Sequence, residues 1–202
     1  MEAGPLAFAA IDQGVAFGRG GLGNIYTWAA GNGREDGDNV NYDGYANLFQ
    51  VIAVAAIDDR GEQAEYSEPG APILVSAPSS SEGSGLTDGI VTTDLLRNQG
   101  YNYLTTDADD DPFRDLDYTG TFSGTSSATP VVSGVVALML DANPNLSWRD
   151  VKAILIESAR KNDPTDNSWF TNGAGYEFSH KYGFGAVDAL AAVELAESWT
   201  PL

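Results

Sequence analysis

The sequence predicts an α/β fold built around a mostly parallel β-sheet, on three observations. Residues 25–30, 51–57 and 73–77 are short continuous apolar runs without polar alternation, as expected of strands buried on both faces. Residues 131–140 are apolar on every side and read as a helix inside a sizeable core, and ten residues are too few to span a bilayer. The turn Gly31-Asn32-Gly33 closes the carboxyl end of the first run, which is where open α/β sheets place their ligands.

Taken in order, Pro5 opens a stretch to residue 17 with apolar groups at helical spacing, and the glycines of 18–23 end that helix. The strand 25–30 follows, then an Asp, Asn and Gly-rich loop over 34–47 and the strands 51–57 and 73–77. Ser and Gly make 78–88 a loop, and 89–93 reads as a short strand or hairpin arm. Residues 98–119 are the least regular and carry Asp107, Asp109, Asp110, Asp111, Asp115 and Asp117. They read as a solvated acidic loop, with an added calcium site as the alternative. Ser147-Trp148-Arg149-Asp150 has the capping-box pattern and starts an amphipathic helix through Ser158, with Val151, Ile154 and Leu155 facing inward. A loop with a hairpin fits 162–182, and a last helix fits 186–198. No repeat or internal boundary divides residues 1–202, which read as one domain or part of a larger one.

Composition narrows the function. A hydrophobic content of 43% supports a packed core, and a net charge of −19 argues against nucleic acid while suiting cationic peptides or metal ions. The absence of cysteine excludes disulfides and a thiol nucleophile. No segment reads as a signal peptide or a membrane span.

The chemistry centres on Gly124-Thr125-Ser126-Ser127-Ala128-Thr129-Pro130, which runs directly into the apolar helix. Gly124 allows a sharp entry and Pro130 suits a first helical turn. Ser126 then sits at the positive end of the helix dipole, where developing negative charge is stabilised. On this stretch alone Ser126 is either an N-capping serine or a nucleophile.

That motif resembles the serine motif of the subtilases, and further stretches resemble their kexin/furin branch. These are 20–23 (Gly-Gly-Leu-Gly), 28–35 (Trp-Ala-Ala-Gly-Asn-Gly-Arg-Glu), 41–47 (Asn-Tyr-Asp-Gly-Tyr-Ala-Asn), 66–68 (Tyr-Ser-Glu), 92–95 (Thr-Thr-Asp-Leu), 142–150 and 179–185 (Ser-His-Lys-Tyr-Gly-Phe-Gly), in the branch's order. The resemblance implies a subtilisin-like, doubly wound, mostly parallel sheet with helices on both faces, of which this chain carries the C-terminal portion. It implies a serine endopeptidase that cleaves after basic residues through an acyl-enzyme on Ser126. Asn32, otherwise an ordinary turn residue beside glycine, becomes the oxyanion donor. Asp43 becomes the carboxylate that pairs with a substrate arginine, with Trp28 and Gly31 as further substrate-binding positions. Asp38 and Glu68 become two ligands of a calcium ion, an incomplete shell for an ion that takes six or more oxygens. His180, the only histidine, follows the serine, whereas the family's order is Asp, His, Ser, so it reads as structural. The catalytic histidine and aspartate then belong to an N-terminal half of the domain. The resemblance also implies a downstream β-rich companion domain and a secreted or periplasmic location. A non-catalytic module binding basic peptides, or one complementing a separate N-terminal half, is the alternative.

Overall fold

The computed structural model describes residues 3–80, 89–103 and 111–201. Three parallel strands, β1 (Tyr26–Ala29), β2 (Val51–Ile57) and β3 (Ile73–Pro78), form the central sheet in the order β1-β2-β3. Every residue of β2 is buried, which is why its run shows no alternation. The alanines at 53, 55 and 56 keep both faces shallow, so neighbouring layers approach closely.

One face packs against three helices, α2 (Thr125–Ala142), α3 (Trp148–Ser158) and α4 (Ala189–Ser198). Ile52, Val54 and Leu74 meet Val132, Met139, Val151, Ile154, Leu155 and Ala192 there in one cluster. Ala53, Ala55 and Ile73 point the other way and are covered by Val40 and Ala46 of the loop after β1. That loop is anchored by backbone bonds, among them Val40 N–H to the Pro69 carbonyl. The helix α1 (Pro5–Phe17) precedes β1, with Leu6 88% exposed and Phe17 78% exposed. Two small antiparallel ladders complete the described chain: β4 (Ile90–Thr93) with β5 (Tyr118–Phe122), and β6 (Phe170–Thr171) with β7 (Glu177–Phe178).

Several expectations are corrected. The helix after the serine motif begins at Thr125, so Pro130 is its sixth residue rather than part of its first turn. Its ring removes the N–H that would bond the Ser126 carbonyl. This helix is also not buried all round. Ala128, Val132, Val135, Val136 and Met139 face the core, whereas Ser133, Gly134, Ala137 and Leu138 are exposed. By length and composition its eighteen residues could cross a membrane, but that inner face is already packed against the sheet. The strand β5 straddles the end of the irregular stretch 98–119 and is not predicted, because Tyr-Thr-Gly-Thr-Phe is a weak apolar signal. The helix α4 starts at Ala189, three residues late, because Asp188 caps it through the Ala191 N–H. The capping box at Ser147 and Asp150 is present as read.

In the described part of the acidic stretch, the carboxylates of Asp111, Asp115 and Asp117 accept local hydrogen bonds. Asp111 accepts the Thr119 hydroxyl and the Phe113 and Gly120 N–H groups, and Asp117 accepts the Arg97 N–H. Asp115 caps the Asp117 N–H. Asp107, Asp109 and Asp110 lie outside the described residues.

Candidate active site

The carboxyl end of β1 and the N-terminus of α2 meet at Asn32. Thr125 holds this side chain with two donors, its backbone N–H at 2.9 Å and its Oγ1 at 2.8 Å, both to Oδ1. A backbone N–H can only donate, so the atom facing it must be the amide oxygen. The Nδ2 group is therefore turned the other way, to the side of Gly124, where a β-carbon would lie 3.1 Å from it. Gly124 enters α2 at φ +82°, a conformation that disfavours any other residue. Ser126 is the second residue of α2 and is exposed, with no side-chain hydrogen bond among the described residues. Ser126 thus follows directly on the residue that clamps Asn32, at the positive end of α2.

A buried network supports this corner. The Gly124 N–H donates to the Tyr66 hydroxyl at 3.1 Å, which pairs with Ser79 Oγ at 2.7 Å, and Ser79 pairs with Ser127 Oγ at 2.7 Å. Ser127 closes the loop on the Gly124 carbonyl. Sequence reasoning did not single out Thr125, Ser79 or Ser127 as positioning groups. Tyr66 appeared only as part of a motif, and no local pattern tells which distant hydroxyls will meet.

Beside this corner lies a cleft of about 190 Å³, lined by Ala29, Ala30, Gly31, Asp38, Tyr42, Asp43 and Glu68. Gly31 is required there. Its φ is +109°, and a β-carbon would lie 2.2 Å from Glu68 Oε1. Asp43 commits Oδ1 to the Tyr45 and Ala46 N–H groups, at 2.8 and 2.7 Å, which leaves Oδ2 without a hydrogen bond among the described residues. Glu68 is buried and accepts the Gly33 N–H at 2.9 Å. Asp38 flanks the same glycine, since a β-carbon on Gly33 would lie 3.1 Å from Glu68 Oε1 and 3.5 Å from Asp38 Oδ2. Burial pushes the Glu68 carboxyl above its usual range, and the nearby Asp38 and Asp43 add to the effect against the Gly33 hydrogen bond. Three carboxylates held this way favour a cation. Among the described residues, no three His, Cys, Asp or Glu side chains gather tightly enough to hold a metal ion by themselves.

One expected site residue stands apart from these groups, as does His180, which the sequence already reads as structural. Trp28 lies outside the cleft lining, its ring stacked on Tyr45 at 4.7 Å. His180 is exposed, packs against Phe170 and Phe178, and forms no hydrogen bond with Ser126.

Residues 3–185 match the profile of the subtilase family. The chain belongs to the subtilases. Within them it is furin-like: it is 38% identical over 98% of its length to the PC3-like endoprotease variant B of Hydra vulgaris, and covers 26% of that protein. Human furin is 37% identical over 96% of this subtilase chain, which covers 22% of furin. The chain therefore spans about a quarter of these relatives. Among solved structures, the serine protease of Aeromonas sobria superposes over all of the chain with a TM-score of 0.88 and 30% identity, and the chain covers 42% of it.

Proposed function

We propose that the chain supplies the nucleophile, oxyanion site and basic-residue pocket of a furin-like serine endopeptidase. The observation that carries this is the Thr125 clamp, which turns Asn32 Nδ2 outward beside the N-terminus of α2. In this reading Ser126 Oγ attacks the scissile carbonyl and forms an acyl-enzyme as the amine leaves. The carbonyl oxygen becomes negative and is held by Asn32 Nδ2 and the Ser126 N–H. Asp43 Oδ2 takes the cationic side chain before the scissile bond. Asp38 and Glu68 would hold a calcium ion that neutralises the floor of the cleft, with further oxygens from backbone or water.

The serine also needs a base, and the only histidine of the sequence lies elsewhere. The base and its aspartate come from a polypeptide segment beyond these 202 residues. The apolar side chains of α1 and the exposed face of α2 suit its docking. Taken alone, the chain is a module that binds basic peptides, a second reading favoured by the position of His180.

The test is reconstitution. The chain should not cleave an Arg-Arg peptide, and should do so when co-folded with a subtilase segment carrying the aspartate and histidine. Activity of the reconstituted pair that survives Ser126→Ala would sink the assignment.

A further inference from the structure

Two asparagines of the sequence are followed by glycine, Asn32 and Asn172. Asn-Gly is the least hindered step for a general reaction of asparagine. The next backbone nitrogen attacks the side-chain amide carbon, ammonia leaves, and water opens the resulting succinimide to aspartate or isoaspartate. Asparagine is a thermolabile residue for this reason. The surroundings of the two sites differ, and the structure ranks them.

At Asn32 both reacting groups are held. Oδ1 accepts the Thr125 N–H at 2.9 Å and the Thr125 hydroxyl at 2.8 Å, two donors aimed at the oxygen that becomes negative as the nitrogen adds. The attacking nitrogen is that of Gly33. Its N–H donates to Glu68 Oε1 at 2.9 Å, so a carboxylate already stands where the proton must go. The cleft itself favours glycine at this position, since a β-carbon would crowd Asp38 Cβ at 3.0 Å and Glu68 Oε1 at 3.1 Å. Asn32 is exposed, which admits water and lets ammonia leave.

Asn172 separates the two factors. Its Oδ1 also accepts two N–H groups, those of Ala174 and Tyr176, each at 3.0 Å. The Gly173 N–H, however, has no acceptor among the described residues.

We propose that Asn32 is a site of self-deamidation, in which Gly33 N adds to Asn32 Cγ while Glu68 takes its proton and Thr125 steadies the oxygen. The bond from Cγ to Gly33 N forms and the bond from Cγ to Nδ2 breaks. Nδ2 leaves as ammonia with a proton from solvent, and Glu68 returns its own proton to solvent. Hydrolysis of the ring leaves an acid in place of the amide, and water is the sole co-reactant. On the function proposed above, the product has lost its oxyanion donor, so the bonds that aim the amide also limit its lifetime.

The test is peptide mapping by mass spectrometry of the 202-residue chain aged in neutral, calcium-free buffer, folded and in urea. In urea the two Asn-Gly steps should convert at similar rates. In the folded chain Asn32 should convert roughly tenfold faster than in urea, a small part of what a positioned base supplies, and Asn172 should show no such gain. Glu68→Gln keeps an acceptor for the Gly33 N–H but is no base, and it should remove the acceleration. Thr125→Val keeps the backbone donor and should reduce the acceleration by less. Conversion of Asn32 in the folded chain no faster than in urea overturns the proposal without recourse to any variant. So does an acceleration that persists in Glu68→Gln. The readout is mass and not turnover, so a chain that deamidates at Asn32 yet fails in reconstitution supports this site and sinks the proposed function alone.

Discussion

At the scale of single residues, the orientation of Asn32 decides what the site can do, and Thr125 decides that orientation through two hydrogen bonds to one oxygen. Under the proposed function, Asn32→Leu in the reconstituted pair should lower kcat by about 10²–10³ with little change in KM, as the loss of an oxyanion donor does in subtilisin. Thr125→Val keeps the backbone donor and loses the hydroxyl, so its kcat should fall by less, in the same steady-state assay. Lys152 gives a separate test. Its Nζ donates to the Phe49 and Val51 carbonyls, and burial pulls its pKa from 10.5 down to about 8. Between those values the folded chain binds fewer protons than the unfolded one, so this group makes stability rise with pH across that window. Thermal melts from pH 7 to 10 should show this contribution, and Lys152→Met should remove it.

At the scale of elements, the start of α2 depends on groups far away in sequence. Tyr66→Phe removes the acceptor for the Gly124 N–H and the partner of Ser79 in a buried network. It should cost about 1–3 kcal/mol in denaturant unfolding, because it leaves buried polar groups unpaired. An unchanged midpoint would show that the network does not anchor the helix. Sequence reading of the elements succeeded where the signal was local. The strands 51–57 and 73–77 and the capping box at Ser147 needed only their own residues. It failed for Pro130 and β5, because the helix gains its first turn from contacts to Asn32 and β5 is a strand only through its pairing with β4.

At the scale of the whole molecule, two features dominate: a cleft of carboxylates and an open sheet. Burial raises the Glu68 pKa above its usual value near 4.5, with Asp38 and Asp43 adding to it. A raised acid contributes stability that is full below its unfolded pKa and lost as pH rises through the folded one. Calcium, which needs the ionised carboxylates, should offset that loss. The rise in Tm on adding calcium should therefore be larger at pH 7 than at pH 5, and Glu68→Gln should shrink it. Among the described residues, β1 pairs only with β2, so its outer edge is open beside the exposed side chains of α1 and α2. The chain alone should self-associate in sedimentation velocity, and a monomer with a sharp melt would contradict this.

The sequence by itself determined the family, the order of the elements and the candidate chemistry of Ser126, Asn32, Asp43, Asp38 and Glu68. Those conclusions rest on motifs and on hydrophobic runs, which are properties of neighbouring residues. Only the tertiary structure decided that Asn32 presents its nitrogen, that Asp38, Asp43 and Glu68 share one cleft while Trp28 lies outside it, and that Asn102 ties itself to the carbonyls of Phe113, Asp115 and Tyr118. Each of these depends on hydrogen bonds and contacts between residues far apart in the chain, and no local pattern encodes which distant partner a side chain will find.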